Sequence, residues 1–391
     1  MSELAERGRR RTEWVRSRMP LLAAAHARFL ETRPFAGHRI GMSLHLEPKT
    51  AVLLETLAAG GAEVVATGNH GSTQDDIVAF LREGGMTVFG SRADTIEKHH
   101  ENLAGVLDAS PDILLDNGAD LAAGIVERGT QTGILGGTEE TTSGGLRLRG
   151  ELAGSIPFPV VVINDSILKA IGENRHAVGQ SVVESFMRIT NLMVPGRRFV
   201  VAGYGWCGRG VAQYLRALGG RVAVAEIDEL KAFEAALDGY RVDTMESLAD
   251  WGEVFITATG HPDVLGPAIF PLLNDGAVLA NCGHFPWEVD VTALKAQASE
   301  VRVLDDAIER IDFADGRHVI LLAEGRMMNL AGREPKGNSL ESMDLGFLLQ
   351  SLSLERVATR AATLEPGAQP VPDDINRDIA RRMLAAMGAD R

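Results

Sequence analysis

The chain has 391 residues, 45% of them hydrophobic and 24% charged, the composition of an ordinary globular protein long enough for two separate cores. A formal net charge of −14 argues against a nucleic-acid or anionic-membrane surface, and no apolar run approaches the roughly 20 residues of a membrane span. The two cysteines, Cys207 and Cys282, match no zinc spacing and no disulfide framework, so no metal is expected; both follow apolar strands and read as packing groups or as neighbours of a ligand. The N-terminus carries no signal-peptide apolar region, which makes a cytoplasmic protein the expectation.

Residues 2–32 read as helical, with Leu21, Leu22, Ala25, Phe29 and Leu30 on one apolar face. The run Arg7-Gly8-Arg9-Arg10-Arg11 lies there among Glu3, Glu6 and Glu13 and reads as a solvated face, with Gly8 counting against helix. Alternation of strands and helices then begins. Strands are expected over 38–44, 63–66, 112–115 and 159–163, with helices over 50–57 and 74–81. This pattern implies a parallel sheet, in which polar residues at the carboxyl ends of strands line the ligand crevice. His45, Asn69, Asn117, Glu140 and Asn164 occupy such positions.

A polar-faced helical stretch, 167–195, leads to the most informative segment, 198–228. An apolar strand over 199–202 meets Gly203-x-Gly205-x-x-Gly208, an amphipathic helix follows over 211–218, and a second strand over 222–225 ends in Glu226 and Asp228. This is a βαβ unit with the dinucleotide fingerprint: glycines for the turn and for close approach to a pyrophosphate, a helix N-terminus facing the phosphates, and an acid for the ribose. The carboxylate of Glu226 suits the hydroxyls of NAD and would repel the phosphate of NADP. Runs over 254–258, 277–280, 301–304 and 319–323 complete an open doubly wound sheet. A long apolar helix over 340–357, a loop punctuated by Pro366, Pro370 and Pro372, and a last helix over 374–387 are expected to return to the first domain. The fold class is thus α/β, with two doubly wound parallel-sheet domains, the second a Rossmann NAD-binding domain, plus a C-terminal helical segment. The boundaries are 1–178, completed by 338–391, and 179–337.

Several ordered stretches resemble one family. Ser43-Leu-His-Leu-Glu-Pro-Lys-Thr-Ala51, Ser72-Thr-Gln-Asp75, Glu139-Glu-Thr-Thr142, Asn164-Asp-Ser166 with Lys169 and Asn174, Gly203-Tyr-Gly205, Asn281-Cys-Gly-His-Phe285 and Leu322-Ala-Glu-Gly-Arg326 with Asn329 look like S-adenosylhomocysteine hydrolase, in its shorter-chained branch. The resemblance implies a homo-oligomeric enzyme with tightly held NAD. In it the ribose 3′-hydroxyl is oxidised, the C4′ proton becomes acidic beside the ketone, the 5′ substituent leaves, water adds and the ketone is reduced again. It also implies site residues. Lys169 stands near the 3′-oxygen, with Glu173 as its partner where the family has an aspartate. His45 lies near the 5′ position and His284 over the sugar. Glu140 and Thr141 grip the ribose hydroxyls, and Glu47, Lys49 and Thr50 contact the substrate. Thr141, Thr142, Asn174, Asn281 and Asn329 join Gly203, Gly205, Gly208 and Glu226 around the cofactor.

Two departures stand against these matches. The family's catalytic aspartate is Asn117 here, and an amide cannot ferry a proton at neutral pH. After Asn329 the family has a Gly-His-Pro gate, whereas this chain reads Leu330-Ala-Gly-Arg-Glu-Pro-Lys-Gly-Asn-Ser339, about two residues longer and without the histidine. His70-Gly71 replaces an apolar pair and Val178 a cysteine. The expectation is therefore a divergent nucleoside dehydratase, as in nucleoside-antibiotic tailoring, that loses hydroxide with His45 as acid. The alternative is an authentic S-adenosylhomocysteine hydrolase. A third possibility is an NAD-holding regulator without turnover, against which retention of His45 and Lys169 speaks.

Overall fold

Short apolar runs ending in polar residues become buried parallel strands in the computed structural model, which describes residues 2–283 and 286–388. They group into two units, Met1–Ala170 with Leu340–Arg391, and Ile171–Ser339. In the first unit β1 (Arg39–Ser43), β2 (Glu63–Thr67), β3 (Thr87–Phe89), β4 (Ile113–Asp116), β5 (Gly136–Glu139) and β6 (Pro159–Val162) are joined by a late strand, β15 (Gly367–Pro370). Their spatial order is β15-β6-β5-β4-β1-β2-β3, every pair parallel. Strand β5 escapes an apolar-run search because it is Gly-Gly-Thr-Glu, yet all four residues are buried. Strand β15 ends in a proline, which an edge strand tolerates.

The N-terminal stretch is two helices, Glu3–Arg16 and Pro20–Thr32, rather than one. Pro20 has no N–H and pushes Met19 out of the helical region, to φ −120° and ψ 68°. Gly8 is a packing residue: a Cβ there would stand 2.1 Å from the carbonyl oxygen of Asp76 on the helix Asp75–Glu83. The neighbouring arginines serve the same junction. Arg11 Nη1 lies 2.7 Å from Asp76 Oδ2, while Arg9 pairs with Glu6 and Glu13 of its own helix.

In the second unit β7 (Arg198–Ala202), β8 (Arg221–Ala225), β9 (Arg241–Asp243), β10 (Val254–Thr257), β11 (Ala277–Asn281), β12 (Ala298–Asp305), β13 (Ile308–Phe313) and β14 (His318–Leu322) form one sheet. Its order is β12-β13-β14-β11-β10-β7-β8-β9. The stretch 301–304 is not a parallel member of it. It belongs to β12, which pairs antiparallel with β13, and β13 runs antiparallel to β14. The turn between β12 and β13 is too short for a crossover helix, so the two strands can only form a hairpin.

The helix Leu340–Arg360 returns to the first unit and packs against β4, β5 and the helices Pro20–Thr32 and Pro48–Ala59. Asp344 on this helix accepts the N–H groups of Leu21 (2.9 Å) and Leu22 (2.8 Å), which begin the helix Pro20–Thr32 and have no partner within it. Burial holds the Asp344 carboxyl above its usual value, at about 6. Its folded pKa exceeds the unfolded one, so the stability it contributes is complete below pH 4 and is lost as pH rises through 6. Asp344→Asn should remove this slope. Urea unfolding at pH 4.5, 5.5 and 6.5 should show wild-type stability falling relative to the variant by about 2 kcal/mol, since each tenfold difference in proton affinity is worth ~1.4 kcal/mol.

Candidate active site

The strand order of the first unit reverses between β1 and β4, and polar residues gather at the carboxyl ends of the strands around that point. The half-buried ring of His45, two residues past β1, has Nδ1 2.6 Å from Ser72 Oγ. Thr50 donates its hydroxyl to the His45 carbonyl at 2.6 Å, which fixes the turn into the helix Pro48–Ala59. Lys49 Nζ and Glu47 Oε2 form an ion pair at 3.0 Å, with the lysine buried. Thr50 thus shapes the loop that the histidine stands on.

Past β4 and β5 the decisive group is Glu139, which no motif singled out by itself. Its carboxylate has no exposed surface and accepts the N–H groups of Gly118 (3.0 Å), Ala119 (2.9 Å) and Thr141 (2.7 Å), and the Thr141 hydroxyl (3.1 Å). Asp116 lies opposite Glu139 in the β4–β5 register. Burial, then the charge of Glu139, raises the Asp116 carboxyl well above the ordinary range. Burial also raises Glu139, against the pull of its backbone donors. The pair fixes the two loops that carry Asn117 and Glu140. Asn117 is 1% exposed and neither atom of its side-chain amide has a hydrogen-bond partner. Lys169 Nζ lies 3.1 Å from Glu140 Oε1, both groups buried, and Gln350 Nε2 donates to Glu140 Oε2. Gln350, on the helix Leu340–Arg360, is a contributor that the sequence hides inside an apolar run. Thr141 caps the helix Thr142–Arg149, and Thr142 Oγ1 accepts from Asn164 Nδ2 at 2.8 Å.

In the second unit the fingerprint fits a dinucleotide on its own geometry. Gly203 sits at φ +91°, a region other residues avoid, and a Cβ on Gly208 would meet the Gly203 carbonyl at 2.0 Å. A Cβ on Gly205 would meet nothing within 4 Å, which leaves open space at the N-terminus of the helix Trp206–Ala217. Glu226, at the end of β8, accepts the Tyr204 N–H at 2.6 Å and those of Ile227 (2.8 Å) and Asp228 (3.0 Å). Asn281 is fully buried and bonds Gly283, the Gly325 carbonyl (3.0 Å) and the Thr257 hydroxyl (3.0 Å), so it clamps two loops together. Glu288, also fully buried, accepts the N–H groups of Thr259 (2.8 Å) and Gly260 (2.9 Å). Glu173 and Asn174 lie on a π-helix, Ala170–Ala177, and Asn329 on a buried single turn, Met328–Leu330. His284 lies outside the described residues.

Comparison with known proteins agrees with this geometry. Residues 2–135 match the family model for S-adenosyl-L-homocysteine hydrolase, and residues 174–334 match the model for the NAD-binding domain of the same enzyme. The chain is 43% identical over 397 residues to the S-inosyl-L-homocysteine hydrolase of Methanopyrus kandleri, an alignment that covers 99% of this chain and 92% of that one. It is 42% identical over 388 residues to the adenosylhomocysteinase of Archaeoglobus fulgidus, covering 98% and 95%.

The chain belongs to the S-adenosylhomocysteine hydrolase family.

Its second unit is accordingly an NAD-binding domain. Among solved structures, a dipicolinate synthase chain from Bacillus halodurans aligns with a TM-score of 0.51 at 13% identity, over 83% of this chain and 99% of that one, a likeness of fold. Among the described residues no helix is long and apolar enough to cross a membrane. Placing Glu226 on the cofactor ribose predicts that Glu226→Gln weakens NAD binding about tenfold, roughly 1.4 kcal/mol, and narrows the preference over NADP. Dinucleotide exchange followed by mass spectrometry checks this; unchanged NAD retention would remove Glu226 from the ribose.

Proposed function

We propose that the protein hydrolyses S-nucleosyl-L-homocysteine thioethers, taking S-adenosyl- or S-inosyl-L-homocysteine to the nucleoside and free homocysteine. The observations that carry this reading are the buried row Gln350–Glu140–Lys169 and the partnerless Asn117 amide, which follows β4 next to the point where the sheet order reverses. A buried polar side chain with no protein partner is costly unless a ligand supplies one. Bound NAD supplies reversible acceptance of a hydride from the sugar. Lys169 and Glu140 hold the ribose hydroxyls, and this ammonium–carboxylate pair, one proton short of full, takes up the 3′-hydroxyl proton. Oxidation at C3′ makes the C4′ proton acidic enough for a side-chain base, and the thiolate then leaves from C5′. His45, its ring oriented by Ser72, handles the proton at the 5′ carbon as water adds. Asn117 donates and accepts hydrogen bonds but moves no proton.

Hydrolysis is favoured over the dehydration first expected from Asn117. Losing hydroxide demands a strong acid at the leaving oxygen, whereas a thiolate leaves with little help. The relatives that align over nearly the whole chain are named for hydrolysis of thioethers.

Incubation with each thioether should release homocysteine thiol. A protein that releases none from either, yet dehydrates a nucleoside, would overturn the assignment. Lys169→Ala should lower kcat by at least 10³-fold, about 4 kcal/mol, and abolish the cofactor-centred absorbance transient of the first turnover. A full-size transient in that variant places the 3′-oxygen elsewhere. Asn117→Asp should raise kcat/KM for the thioether, by up to about tenfold or ~1.4 kcal/mol.

A further inference from the structure

The stretch that replaces the family's gate is held by the second unit's own helix, Val178–Thr190. Arg188 donates to the carbonyls of Arg333 (2.9 Å) and Ala331 (3.1 Å), and Ser181 lies between Asn338 and Asn329. Asn338 Nδ2 donates to Glu173 Oε1 at 3.3 Å, Ser181 Oγ donates to Asn338 Oδ1 at 3.1 Å, and Asn329 Nδ2 donates to Ser181 Oγ at 3.2 Å. The Ser181 hydroxyl is also 3.2 Å from the Val178 carbonyl, with which it shares its one proton.

We infer that Ser181 and Asn338 are positioning residues that lock the Asn329 amide in one orientation, with its Oδ1 offered to a carboxamide N–H of the bound nicotinamide. This rests on the reading that Asn329 faces the cofactor. The direction of the chain follows from its end. A carboxylate only accepts, so Asn338 must turn its amide nitrogen to Glu173 and its oxygen to Ser181. Ser181 then donates toward Asn338 or Val178, and its lone pairs remain for the Asn329 nitrogen. Asn329 Oδ1 is thereby turned to the other side, where it is buried without a hydrogen-bond partner. Three donors in series, all pointing toward Glu173, polarise one another and resist reversal of any single amide. Without the chain, Asn329 could present its donor or its acceptor equally well.

The test uses the holoprotein equilibrated with an equimolar excess of NAD and its 3-acetylpyridine analogue, in which a methyl ketone replaces the carboxamide and removes the N–H donor. The retained dinucleotides are measured by mass spectrometry. The wild type should retain NAD over the analogue by at least tenfold. Ser181→Ala should lower that ratio to threefold or less, Asn338→Leu should lower it by a smaller factor because the Val178 carbonyl still takes the Ser181 proton, and Ser181→Thr should keep the wild-type ratio. A merely structural loss would weaken both dinucleotides alike and leave the ratio unchanged. An unchanged ratio in both the alanine and leucine variants overturns the lock, and a wild-type ratio near one overturns the acceptor at Asn329. Absence of homocysteine release from a protein with the expected ratios would sink the hydrolase reading and leave the lock standing.

Discussion

The buried carboxylate of Glu139 is the constraint on which the strand ends of the first unit depend. It accepts three backbone N–H groups and a hydroxyl from the loops after β4 and β5, and so sets where Asn117, Glu140 and Thr141 stand. Bonds to a charged acceptor are each worth about 1.5–3 kcal/mol, and deleting the acceptor would leave several buried donors unsatisfied at once. Burial raises the carboxyls of both Glu139 and its neighbour Asp116 on the adjacent strand, and the N–H donors around Glu139 oppose that rise.

The same device recurs in the NAD-binding unit. Glu226 holds the Tyr204 N–H of the fingerprint turn, and Glu288 holds the Thr259 and Gly260 N–H groups after β10. A parallel sheet explains the recurrence. Each strand ends in a loop whose first amides face the crevice without a ladder partner, and a glutamate on a neighbouring loop can reach them. Carboxylates at these ends need not touch a ligand to matter, because they determine the shape that receives one.

Two of the departures from the family pattern, Asn117 and the stretch after Asn329, fall on groups that move a proton or gate, while His45, Glu140 and Lys169 are kept. Asn117 has lost the proton but retains a buried amide, and Asn338 occupies a stretch without the gate histidine yet bonds Glu173. Under the proposed function, the acid–base work of such a site falls to His45 and Lys169.

Sequence alone determined the parts of the protein that local chemistry dictates. Apolar runs ended by polar residues marked most strands, the glycine spacing marked the dinucleotide turn, and the ordered motifs marked the family. What it could not supply were elements whose signal is not local. Strand β5 is glycine-rich and is a strand only because β4 and β6 flank it, and the β12–β13 hairpin looks like one more apolar run until its partner is known. Gly8 reads as a helix defect until Asp76 is found against it. Gln350 meets Glu140 from 210 residues away, and Asn338 meets Glu173 from 165. A side chain's type and spacing reveal which backbone it favours, but its hydrogen-bond partner is chosen by the packing of distant segments, and that choice only the tertiary structure makes.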